Sequence, residues 1–274
     1  MNRLIAEINS GTWMLSGTDP AQYKKMVDTI LSGGKINEVK PEAYSVIGKK
    51  SIDSKGETKT ENAVAVIEMV GAMSKYSAMC AYGAEDFAYE LIKAQNNPDI
   101  LGIILKMDGP GGNADAIPLF QSIKAQITKP VIALVDKADS LHYWIAALMS
   151  SHIMMNNDFT AEVGSIGVMV MFEKTSNEIV IVRPAESFDK NQALVDALNG
   201  DLALLEEKLA PLARRFQSEV KENRPQVKEE ALHGKTYYAS EAIEVGLADS
   251  VGDINKAYQM ILALHAKKEL NKIK

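Results

Sequence analysis

Three short runs of apolar, largely β-branched residues constrain this chain more than any other feature. They are Ala63-Val64-Ala65-Val66-Ile67, the stretch from Ile100 to Met107, and Val131-Ile132-Ala133-Leu134-Val135. A strand with one wet face alternates apolar and polar residues, whereas an unbroken run of this length has both faces covered. Helical patterns separate the runs. One covers about 83–95, with Phe87, Leu91 and Ile92 on one face, a second about 114–126, and a third starts near Ser140 and ends near Met149. Strand, helix, strand, helix in this rhythm predicts βαβ units and a mainly parallel sheet, an α/β fold. Ile153-Met154-Met155 and Ile179-Val180-Ile181-Val182 are further strand candidates. Residues 201–223 read as one long helix with a stripe of Leu202, Leu205, Leu209, Leu212 and Phe216.

The chain divides by texture near residue 60. In the first part, Asp19-Pro20 is a helix start, with Asp19 as N-cap and Pro20 at the first helical position. Tyr23, Met26, Val27 and Ile30 follow at helical spacing until Gly33-Gly34. The next stretch, 35–60, is polar and lysine-rich and reads as a linker or surface loop. The expectation is therefore a helical N-terminal segment with a polar linker over 1–60 and one α/β domain over 61–274. The 274 residues are enough for a sizeable core, and a formal net charge of -6 argues against general affinity for nucleic acid or anionic membranes. Cys80 is the single cysteine, so no disulfide can form within the chain, and its apolar neighbours suggest a structural thiol. Glu7 interrupts the first apolar run, and no stretch approaches the ~20 apolar residues of a spanning helix. These features predict a cytoplasmic chain without an anchor of its own.

Two loops that follow strands carry unusual chemistry, and both belong at the carboxyl edge of the sheet, where α/β active sites gather. In Gly109-Pro110-Gly111-Gly112 the glycines let the backbone approach a ligand, and N–H groups next to a helix start can hold an oxyanion. The spacing fits neither a phosphate loop nor a dinucleotide fingerprint, and a simple tight turn explains it equally well. Ser140 stands where a strand hands over to a helix. That position suits an exposed nucleophile and equally a helix N-cap. No Gly-x-Ser-x-Gly elbow is present. A nucleophilic serine needs a base, and none of His142, His152, His233 and His265 stands out. His142 lies two residues on and so faces another side of the helix. A lysine kept neutral by burial is the alternative base.

At these residues the chain resembles the signal peptide peptidase A family of serine peptidases. Leu105 to Asn113 is similar to its strand and Ser-Pro-Gly-Gly turn. Ala138-Asp139-Ser140-Leu141-His142-Tyr143-Trp144-Ile145 is similar to its Ala-Ser-Gly-Gly-Tyr-Trp block, with Ser140 on the nucleophile. Val163-Gly164-Ser165-Ile166-Gly167-Val168 resembles its Thr-Gly-Ser-Ile-Gly segment, and 237–252 its closing signature. The resemblance implies a crotonase- or ClpP-like ββα spiral and peptide hydrolysis by a Ser-Lys dyad, without metal or cofactor. The family's base follows the serine by roughly fifty residues, which implies Lys190, with Lys137 and Lys106 next in line. It also implies Gly111 and Gly112, with Leu141, at the oxyanion and substrate site, and Ser165 as a partner of the lysine amine. One departure is plain: Leu141 and His142 replace the two glycines that follow the family's serine.

Thr12-Trp13-Met14-Leu15 with Asp19-Pro20-Ala21 resembles the N-terminal segment of that family's phage and prophage branch, the prohead proteases. This implies a scaffold or capsid protein as substrate, and the wider family resemblance implies a homo-oligomeric ring or dome in which the serine and lysine can come from neighbouring subunits. A soluble signal-peptide or oligopeptide hydrolase, and a catalytically silent ring-forming assembly protein, are the alternatives. Acyl-CoA chemistry on the same fold fits less well, because it would need neither Ser140 nor Lys190.

Overall fold

The computed structural model describes residues 13–15, 42–52, 58–77, 82–169, 184, 187, 189 and 191–273. Its strands are β1 (Trp13–Leu15), β2 (Tyr44–Ile52), β3 (Thr58–Val70), β4 (Ile100–Gly109), β5 (Gly111–Asn113), β6 (Val131–Asp139), β7 (His152–Met155), β8 (Glu162–Gly164), β9 (Thr236–Tyr238) and β10 (Ser250–Val251). Its α-helices are α1 (Ala84–Asn96), α2 (Ile117–Lys124), α3 (Leu141–Met149), α4 (Gln192–Leu198), α5 (Ala203–Asn223), α6 (Ala239–Glu244) and α7 (Ile254–Ile273). The main sheet runs β10-β7-β6-β4-β3-β2. Pairing is parallel from β10 through β3, and β2 closes the edge antiparallel to β3. The expected α/β class with a mainly parallel sheet is borne out.

The three apolar runs are β3, β4 and β6, and their continuity has a direct cause. Side chains alternate between two cores on opposite faces of the sheet. Ala65, Ile67, Ile103, Leu105, Ala133 and Val135 join the helices α1, α2, α3 and α5 on one face. Val64, Val66, Ile104, Ile132 and Leu134 meet Ala257 and Ile261 of α7 on the other. Each fully buried Ile or Leu contributes about 1.5–3 kcal/mol to this three-layer packing.

Two sequence expectations change. The polar stretch 35–60 is not all linker, because 44–52 forms β2. An edge strand needs only partial cover, so Tyr44 and Ile47 turn toward the cores while the lysines stay outside. The expected helix over 114–126 begins as a 3-10 turn at Ala114–Ala116, where the Asn113 side chain accepts the Asp115 N–H, and becomes α2 only from Ile117. The N-terminal helix, Cys80 and the strand candidate at 179–182 lie outside the described residues. Among the described residues no helix is long and apolar enough to cross a membrane.

What positions the site is a change of partner along β6. Its first half, Ile132 to Val135, pairs with β7, and its second half, Lys137 to Asp139, pairs with β8. Between them Asn156 donates its side-chain N–H to Asp136 at 2.7 Å and its backbone N–H to the Val135 carbonyl at 2.8 Å. β8 in turn pairs antiparallel with β9. The end of β6 therefore keeps β4 on one side and has β8 in place of β7 on the other, and Ser140 follows at once.

Candidate active site

Ser140 joins β6 to α3 with φ 53° and ψ -117°. A positive φ sets the Cβ of an L-residue against its own backbone and costs about 1–3 kcal/mol, so the surroundings must impose it. They do so through the backbone. The Ser140 N–H donates to the Gly164 carbonyl of β8 at 2.9 Å, and the Ser140 carbonyl accepts the Trp144 N–H at 3.0 Å. The helix-cap reading of Ser140 fails, because its side chain makes no cap hydrogen bond. Among the described residues no partner takes the hydroxyl, although the residue is only 2% exposed.

α3 is held from three sides. The Tyr143 hydroxyl donates to the Leu247 carbonyl at 2.9 Å. Trp144 stacks on Phe216 of α5 with ring centroids 4.4 Å apart, and its indole N–H donates to Glu219 at 2.8 Å. Burial raises the Glu219 carboxyl, but hydrogen bonds from Trp144, Gln121 and Arg215 outweigh it and hold the group below its usual range. Behind Leu247, Asp249 takes both terminal nitrogens of buried Arg224, at 3.0 and 2.8 Å, and the Ile153 N–H at 2.7 Å. The closing signature is thus a clamp that ties β7, α5 and the chain before β10 together under α3.

The third support is His142. His142 is 1% exposed, and its Nδ1 accepts the Gly111 N–H at 3.2 Å. Its ring fills the space beside Gly109, where a Cβ would stand 2.3 Å from Nε2. Glycine at 109 is therefore required for this packing. Burial pushes His142 down to about 4, and the bond from Gly111 needs a lone pair on Nδ1, so the ring is neutral with its proton on Nε2. Gly112 is confined in another way, since a Cβ there would lie 2.1 Å from the Met73 carbonyl oxygen.

The expected site residues are partly brought together. Gly111 reaches α3 through His142, and Ser165 follows Gly164, the acceptor of the Ser140 N–H. Ser165 itself has φ 54° and donates its N–H to the Lys235 carbonyl at 3.0 Å. The oxyanion expectation shifts: the Gly111 N–H points to His142, not outward. Leu141 opens α3, and its N–H has no carbonyl partner among the described residues. The start of a nine-residue helix directly after Ser140 thus offers free N–H groups to a developing negative charge.

Lys190 lies outside the described residues; its neighbour Asn191 is in the left-handed region with φ 59°. The other lysines are engaged elsewhere. Lys137 stands 3.4 Å from buried Asp139 and 3.5 Å from Glu162. Burial lowers its pKa, but the two carboxylates outweigh that and raise it, so Lys137 stays charged and cannot take a proton. Lys106 is paired with Glu68 at 3.4 Å, on the other side of β4 from β6. Among the described residues no three His, Cys, Asp or Glu side chains converge as metal ligands would.

No family model matches the chain. Among curated proteins it is similar to Protease 4 of Haemophilus influenzae, with 27% identity over 188 residues, 64% of this chain and 30% of that protein. It is similar to Protease 4 of Salmonella typhi, with 22% identity over 264 residues, 88% of this chain and 43% of that protein. The chloroplastic serine protease SPPA of Arabidopsis thaliana is 27% identical over 239 residues, 81% of this chain and 35% of that protein. Two solved mutants of 1510-N membrane-bound stomatin-specific protease also match. One has a TM-score of 0.41 at 21% identity, covering 70% of this chain and 81% of that one. The other, in complex with a substrate peptide, has a TM-score of 0.40 at 23% identity, covering 69% and 75%. The chain spans between 30% and 43% of the length of the curated relatives it matches, and all three are named as proteases.

Proposed function

We propose that this chain is a serine endopeptidase in which Ser140 attacks a peptide carbonyl. The observation that carries the reading is the backbone of Ser140. A costly conformation is held at a strand-to-helix junction while the hydroxyl is kept out of the cap bond that the position invites. In the proposed reaction neutral Lys190 takes the hydroxyl proton as the Ser140 Oγ bonds to the carbonyl carbon. The carbonyl oxygen becomes an oxyanion, stabilised by the Leu141 N–H at the start of α3. The C–N bond breaks, Lys190 returns the proton to the leaving amine, and an acyl-serine ester remains. Lys190 then deprotonates water, which attacks the ester and releases the acid. Because the base must be neutral, activity rises with pH through its depressed pKa. The finer reading is a head-maturation protease that digests a scaffold protein inside a homo-oligomer, and the residues at 12–15 and 19–21 support it.

Turnover of an unfolded protein substrate and of a co-expressed scaffold tests this. Ser140→Ala and Lys190→Ala abolish turnover with unchanged circular dichroism. Retained hydrolysis in folded Lys190→Ala removes the dyad, and a flat profile from about pH 5 to 9 counts against a lysine base. Signal peptides cleaved in place of scaffold would replace the head-maturation reading.

One observation favours a second reading, a silent assembly protein: His142 holds the Gly111 N–H away from any substrate. His142→Gly separates the two. An oxyanion donor is worth about a hundredfold or more in rate, so releasing Gly111 raises the turnover of a working enzyme and leaves a silent ring at zero.

A further inference from the structure

The short strand β5 has two edges, and both are occupied. On one, the Met73 N–H donates to the Gly111 carbonyl at 2.9 Å and the Asn113 N–H to the Met73 carbonyl at 2.8 Å. Successive residues of a strand direct their backbone groups to opposite sides, so the N–H and C=O of Gly112 face the other edge. There β1 lies antiparallel, with Leu15 opposite Gly111, Met14 opposite Gly112 and Trp13 opposite Asn113. This two-stranded sheet is separate from the main sheet, and β5 is the only strand that β1 pairs with among the described residues. Gly111, at the start of this strand, is bonded to His142, two residues beyond Ser140. β5 is thus tied at Gly111 to the helix that opens on the candidate nucleophile, and β1 covers its other edge at Gly112.

We propose that residues 13–15 are an internal occupant of the peptide-binding edge of β5, which a peptide substrate must displace; the proposal rests on the endopeptidase reading of Ser140. Edge-strand addition captures a peptide through main-chain bonds and needs an open row of N–H and C=O groups. β5 offers the N–H and C=O of Gly112 to β1. The contact is only three residues long, a few hydrogen bonds of about 1 kcal/mol net each, so it is weak enough to exchange. It is also intramolecular, and a tethered occupant acts at an effective concentration in the millimolar range. A competing peptide then sees its apparent affinity weakened by one plus the ratio of that effective concentration to the untethered segment's own dissociation constant, about tenfold when that constant is about a tenth of it. The chain's own N-terminal segment sets a threshold on its activity.

Met14→Pro removes the N–H opposite Gly112 and cannot extend the strand. The probe is a fluorescein-labelled peptide with the sequence of residues 10–18, followed by anisotropy on the full chain. Met14→Pro binds it at least about tenfold more tightly than the wild type, and hydrolyses an extended peptide faster at limiting concentration. Replacing Trp13, Met14 and Leu15 together with glycine gives the same result if the proline variant unfolds. Equal binding to wild type and a folded variant, or none to either, overturns the proposal whatever the activity does. Tighter binding with no hydrolysis and no fluorophosphonate adduct on Ser140 keeps the occupant and removes the peptidase. A Ser140 adduct with unchanged binding does the reverse.

Discussion

Replacing Ser140 separates its chemistry from its backbone strain. Glycine adopts φ 53° freely, whereas alanine keeps the Cβ that makes this conformation costly. The strain is about 1–3 kcal/mol, and glycine returns about 0.5–1 kcal/mol of it through the greater freedom of its unfolded chain. Ser140→Gly is therefore more stable than Ser140→Ala by about 1 kcal/mol, which for a chain of this size is about 2–4 °C in Tm. The hydroxyl itself contributes little, because it bonds to no described residue, so Ser140→Ala stays within about 0.5 kcal/mol of the wild type. Calorimetry and urea unfolding of the three proteins measure both differences. If Ser140→Gly is no more stable than Ser140→Ala, the backbone is not strained, and the main structural argument for a nucleophile is lost.

Three further outcomes follow from the packing around α3. His142 is held near 4, against 6.5 for an exposed ring, so between those values the unfolded chain binds a proton that the folded chain does not. Stability is therefore full above about pH 6.5 and falls as pH drops toward 4, by about 2 kcal/mol at pH 5. His142→Asn keeps an acceptor for Gly111 without titrating, and urea unfolding at pH 7 and 5 shows that share of the loss disappear; an unchanged slope rules His142 out. Asp249→Ala strips buried Arg224 of its bidentate partner and destabilises by about 3 kcal/mol, measured by urea unfolding, and a loss under about 1 kcal/mol contradicts the clamp. Trp144→Phe keeps the stack on Phe216 but deprives half-buried Glu219 of a donor, for about 1–2 kcal/mol by the same assay, and a neutral substitution contradicts that role.

The sheet was legible because it is covered on both faces, which forces β3, β4 and β6 into unbroken apolar runs. β2 was not, because an edge strand is free to carry Lys49 and Lys50 outside and gives no such run. Three-residue strands such as β1 and β5 are held by partners far away in the chain, and no local pattern announces them. Ser140 was legible as a position, since a serine between an apolar run and a helix is visible, but no residue pattern reveals a positive φ imposed by Gly164. His142 shows the limit most clearly. Its spacing from Ser140 predicts only that the two side chains face different sides of the helix. What that leaves open is where the ring goes, and the answer, the space above Gly109 and Gly111, depends on three elements meeting. The signal that was available is the resemblance: where the similar segment carries glycine this chain carries His142, whose ring must find room, and that room lies beside Gly109.

The central claim is that Ser140 is a nucleophile, and fluorophosphonate labelling followed by peptide mass spectrometry tests it most directly. The probe is small and needs the serine rather than the β5 edge. One adduct forms on Ser140 in the wild type, none in Ser140→Ala, and Lys190→Ala labels more slowly. A folded wild-type chain that takes no adduct, or takes it on another serine, contradicts the account.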